Sequence, residues 1–147
     1  MVDYDLVDKL VVCTTNVHNR INKIRTEAMK LATKGLKTND IGILRVVFLL
    51  NGIPVSALNY YRLSHKYIDE YFLQCIVKDK NITQIDLNSV LNGLIKVDYP
   101  DFLEEIDDLK KISGKAIRGL DLLTEDYSDL VTSLVNDLNE LESLLMR

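Results

Sequence analysis

With 147 residues, 47% of them hydrophobic and 27% charged, the chain has ordinary globular usage and the length of one domain, which excludes a disordered or low-complexity protein. Two cysteines exclude a disulfide scaffold, and the acidic start MVDYDLVDKL lacks the basic and apolar regions of a signal peptide. The net charge of −4 divides unevenly, as −2 over residues 1–17, +7 over 18–66 and −9 over 67–147, so a basic third precedes an acidic half.

The longest uninterrupted apolar run, Val46–Leu50, is far short of the ~20 residues of a membrane span. The expectation is a soluble, cytoplasmic, single-domain protein with no membrane partner.

Asp3 or Asp5 can cap a first helix with an apolar seam at Leu6, Leu10, Cys13, Val17, Ile21, Ile24, Ala28 and Leu31. Gly35 suits the C′ position at its end. Such a helix has about 30 residues and measures roughly 45 Å. Thr38, Asn39 and Asp40 then offer N-caps for a segment, Ile41–Leu50, that is apolar nearly all round and fits a buried helix or a buried strand.

Asn51-Gly52 between apolar runs signals a two-residue hairpin, but it also fits the turn of a helix-turn-helix. Leu58, Tyr61, His65, Ile68, Phe72 and Cys75 recur at helical spacing, and Pro54 suits a first helical turn. These favour helix, turn and helix over a hairpin. Tyr60, Leu63, Tyr67 and Tyr71 give the second helix another apolar face, as a central bundle helix needs.

A turn at 78–81 precedes a short helix near 86–97, with Leu87, Val90, Leu91, Leu94 and Ile95 inward. Pro100 restarts helix, and Phe102, Ile106, Leu109, Ala116, Leu120 and Leu123 continue a seam interrupted by Ser113. Gly114 and Gly119 either weaken this helix or let another pack closely. Tyr127, Val131, Leu134, Leu138, Leu141 and Leu145 form the best heptad seam of coiled-coil type in the chain. The pattern leaves open whether 101–147 is one helix or two.

The sequence therefore predicts an all-α fold, a single-domain helical bundle of about 4–6 helices with long N-terminal and C-terminal helices. Its segments are 1–35, a helix-turn-helix-like hairpin at 38–77, a short helix at 82–97, and a helix or helix pair at 100–147.

Gly52, Ile53, Ser56, Leu58, Tyr60, Arg62 and Leu63 resemble the second half of a Fis-type helix-turn-helix. The resemblance implies a DNA-binding regulator, with Gly52 opening the turn, Ile53 and Leu58 joining the two helices, and Arg62 and Lys66 facing phosphate or bases. The chain departs from that pattern at Val47 and Phe48, where the family places small residues.

Residues 77–94 have the flavour of a calcium-binding loop, but Gln84 and Val90 stand where that chemistry needs Gly and Glu. Arg20, Lys23, Arg25, Lys30, Lys34, Arg45, Arg62 and Lys66 are the candidate nucleic-acid contacts, since clustered cations gain affinity by releasing counterions. The competing reading pairs them with the acidic C-terminal helices.

His18, His65, Cys13 and Cys75 do not place a nucleophile beside a base or make a metal site, and no phosphate-binding glycine loop occurs. No enzyme activity, metal or cofactor is expected. Aromatics in the central helix could stack on unpaired bases, although core packing explains such spacing more simply.

The seam Tyr127, Val131, Leu134, Leu138, Leu141 and Leu145 has apolar neighbours at Leu130, Val135 and Leu144. It calls for a partner helix, from the same chain or from a second copy. The expectation is a non-enzymatic binding or assembly protein, a subunit of a larger complex or a homo-oligomer, touching nucleic acid through 18–66. The alternatives are a helix-turn-helix regulator and a purely structural interaction bundle.

Overall fold

The computed structural model describes residues 4–69 and 99–146, and every described element is helical. Helix α1 is Tyr4–Thr38, α2 is Ile41–Ser56, α3 is Leu58–Ser64, α4 is Tyr99–Leu123 and α5 is Ser128–Leu145. A π turn, His65–Asp69, follows α3 directly. Cys75, Tyr71, Phe72, the loop at 77–94 and the short helix expected at 82–97 lie outside the described residues.

The α1 seam packs as its spacing requires, with Leu10, Cys13, Val17, Ile21, Ile24 and Ala28 buried, and Leu6 and Leu31 partly so. Its end differs from expectation. Gly35 lies inside the helix, and a Cβ there would stand 3.0 Å from side-chain atoms of Ile43 and Leu44. Asn39 takes the C′ role at φ 55°, and the Asp40 N–H donates to the Gly35 carbonyl at 3.2 Å, the closing bond of a Schellman turn. The Asp40 carboxylate then accepts from the Ile43 N–H at 3.2 Å, capping α2.

Neither reading of Asn51-Gly52 holds, because α2 runs straight through both residues. The break falls later. Pro54 has no N–H to offer the carbonyl one turn back, and the Ala57 N–H bonds to Pro54 O at 3.3 Å in a tighter turn. Pro54 thus sits near the end of α2 and does not open the next helix. Of the two apolar faces expected beyond it, Tyr60, Leu63 and Tyr67 are buried, and the other divides, with Ile68 buried, Tyr61 partly so and Leu58 71% exposed.

Contacts fix the topology. Gly35 adjoins Ile43 and Leu44, and the His18 ring meets those of Tyr60 and Tyr61, so α1 and the α2–α3 stretch are antiparallel. Leu49 lies against Gly119 and Tyr60 against Phe102, which turns α4 antiparallel to that stretch. Lys110 reaches Glu142 at 2.7 Å and Asp121 accepts from Ser128, so α5 returns beside α4. Arg20 pairs with Asp137 at 3.2 Å across α1 and α5, closing an up-down-up-down bundle. One core cluster draws on all four sides.

The C-terminal region is two helices, with residues 124–127 between them. Ser113, the interruption in the α4 seam, is fully buried and donates to the Leu109 carbonyl at 2.7 Å, so its hydroxyl is satisfied without leaving the core.

Candidate interaction surface

The eight candidate nucleic-acid residues do not share one face. Arg20 and Lys23 line a groove of about 300 Å³ with Asn16, Asn19 and Asp137 between α1 and α5. Lys34 lies at the end of the bundle, beside Asp40, Leu123 and Tyr127. Arg25 faces the opposite flank of α1, in a groove with Asn51, Pro54, Val55, Leu58 and Tyr61. Arg45 sits on the outer side of α2, Lys30 pairs with Glu27 at 3.6 Å, and the Lys66 ammonium stands 5.3 Å from the Tyr67 ring centroid. A helix turns 100° per residue, so a basic run in sequence spreads around its axis unless it keeps a 3–4 spacing.

The heptad seam is covered within the chain. Val131, Leu134, Leu138 and Leu141 are fully buried, and Tyr127 and Leu145 pack partly against the same core, beside α1 and α4. Four of the six are thus core of this chain, and α1 and α4 supply helices for the seam to pack against. Basic and acidic segments meet there through Arg20 with Asp137, while Lys110 with Glu142 is a pair within the acidic half.

The aromatic and histidine cluster is interior only in part: Tyr60 and Ser64 are buried, His18 and Tyr61 half-buried and His65 exposed. His18 Nε2 lies 3.4 Å from Ser64 Oγ, a spacing that a nucleophile and a base share, but Ser64 is only 3% exposed. Burial pushes the Tyr60 phenol far above its usual range, with Ser64 acting against the shift. The Cys13 thiol is pushed up to about 11, by burial first and by Glu140 second, so it stays protonated and unreactive at neutral pH. Among the described residues no three His, Cys, Asp or Glu side chains converge as a metal-binding group.

What the sequence reading missed lies on α2. Val46, Leu50 and Ile53 turn inward, but the outward side carries Ile41, Phe48 and Val55, exposed at 68%, 81% and 61%. Leu58 extends the stripe beyond the break, and Leu122 of α4 is 88% exposed. Between them an apolar trough of about 400 Å³ is lined by Ile41, Leu44, Arg45, Phe48, Leu49 and Leu123. The all-round apolar character of 41–50 was the available signal, since one buried side of a helix leaves the other facing out.

By length and composition the stretch Ile41–Ile68 is long and apolar enough to cross a membrane, and 22% of its most apolar window is buried in the bundle, less than a core helix would bury. Its apolar character is discontinuous in sequence, because Arg45 and Asn51 interrupt the run. Comparisons with protein-family models, with curated proteins and with solved structures returned no match.

Proposed function

We propose that the protein is a non-enzymatic docking module, a helical bundle that joins a larger assembly through the outward face of α2. One observation carries this reading: Phe48 is 81% exposed at the middle of an apolar stripe. Monomeric proteins rarely leave contiguous apolar surface of this kind in water, and where they do it marks an interaction site.

A nucleic-acid role draws less support, because the cations occupy separate grooves and Arg20 and Lys30 already have carboxylate partners. The helix-turn-helix alternative loses its turn, since Gly52 lies within α2.

Photocrosslinking in the native host tests the reading. A photoreactive residue at position 48 should give discrete adducts, and one at Thr132, exposed on α5, should not. Equal labelling at the two positions, or none at 48, would remove the docking face.

A further inference from the structure

This inference rests on the docking reading and names the occupant of that face. We propose that the outward face of α2 seats on an anionic lipid surface, with the helix lying along the interface and not through it.

Charge selects the partner. The 28 residues Ile41–Ile68 contain Arg45, Arg62 and Lys66 and no Asp or Glu. The acid that precedes them, Asp40, holds the Ile43 N–H at the helix start. The α1 flank repeats the pattern, and the α4 flank does so towards its C-terminal end. Arg25 of α1 shares a groove with Val55 and Leu58. On α4, Gly119 abuts Leu49, so Lys115 one turn before it and Leu122 almost one turn after it lie towards the same side, with exposed Asp108 and Glu104 further back along that side, near the start of α4. The surface is thus apolar along its crest and cationic along α2, α3 and the α1 flank, its carboxylates confined to the start of α4.

A second copy of the same face is a poor occupant. Laid crest against crest it would bring Arg45, Arg62 and Lys66 of both copies together, and residues 41–68 supply no carboxylate for them. An anionic bilayer meets both demands, taking the apolar crest into its acyl boundary while lipid headgroups pair with the cations at the edges. Lying along the interface follows from packing. Val46, Leu50 and Ile53 tie α2 to the bundle core, so spanning the bilayer would mean extracting three buried side chains. The exposed crest protrudes, which a fluid bilayer accepts without a groove of matching shape.

The chain contains no tryptophan, so Phe48→Trp creates a single reporter at a position already 81% exposed. The variant is titrated with phosphatidylcholine vesicles containing phosphatidylserine and with vesicles of phosphatidylcholine alone, at low and at physiological salt. The expected result is a blue-shifted emission and cosedimentation on the anionic vesicles only, weakening as salt rises. Arg45→Gln and Arg62→Gln, placed in that background, should each lower vesicle affinity by about fivefold while leaving the melting temperature unchanged. A tryptophan at Thr132 should show no shift.

No binding to anionic vesicles at low salt overturns the proposal, and so does equal binding to both vesicle types. Equal shifts at positions 48 and 132 overturn it as well. Protein adducts from position 48 together with no vesicle binding would overturn the lipid proposal, leave the docking face standing and make its occupant a protein. Failure of both experiments removes the docking face itself.

Discussion

Asn39 is the residue on which the first helical hairpin turns. Its φ of 55° lies in the left-handed region, which costs an ordinary L-residue about 1–2 kcal/mol and asparagine less. The geometry is kept because the Asp40 N–H then reaches Gly35 O while the Asp40 carboxylate caps α2, so one reversal serves two helix ends. Glycine would remove the remaining strain but add unfolded-state entropy. Asn39→Gly should therefore stabilise the protein by roughly 0.5 kcal/mol, whereas Asn39→Val should destabilise it by about 1–2 kcal/mol. Urea unfolding checks both, with midpoints moving in opposite directions at a common slope. Two losses of similar size would show that the turn needs the asparagine side chain itself.

At the level of elements, α4 carries two glycines with different work. Gly119 lets α2 approach, since a Cβ there would stand 2.8 Å from Leu49 Cδ1. At Gly114 the nearest atom is the Arg118 guanidinium at 3.8 Å, the mobile end of a long side chain. Gly114→Ala should stabilise by about 0.5–1 kcal/mol through helix propensity. Gly119→Ala gains the same propensity but must displace Leu49, for a net loss of about 1–3 kcal/mol. Melting curves of the two variants should shift in opposite directions, and equal gains would mean that the α2–α4 crossing is loose.

The seams of α1, α4 and α5 were legible because apolar residues at steps of three and four admit one periodicity. The division of the C-terminal region was not legible, because the seam runs with little interruption from Leu120 through Leu123 to Tyr127 and only the backbone shows where the helix stops. The Asn51-Gly52 turn was misread for the opposite reason. A strong local turn signal lost to the helix on both sides of it, whose inward residues Val46, Leu50 and Ile53 keep one register across the pair.

For the molecule as a whole, the two apolar surfaces that the sequence offers exchange roles. The heptad seam of α5 looked like an interface and is core, while the segment 41–50 looked like core and faces outward along one side. Periodicity alone cannot separate these cases, because a seam states how much surface must be covered and not which chain covers it. Closure of the bundle decides it: α5 has α1 on one flank and α4 on the other, and Arg20–Asp137 and Lys110–Glu142 bracket its seam. Substitution in the seam should therefore act on folding and not on assembly. Leu138 has no exposed surface, so Leu138→Ala should cost about 2–5 kcal/mol, the transfer free energy of the lost atoms plus the cavity left behind. Leu122→Ala, at a position 88% exposed, should stay within about 0.5 kcal/mol of the parent protein. Chemical unfolding of the pair, run beside light scattering at matched concentrations, separates stability from oligomeric state. The expected outcome is a large drop in stability for Leu138→Ala with the molar mass of its folded form unchanged. A change of mass at unchanged stability would instead place the α5 seam between two chains, and the bundle described here would have to open to supply it.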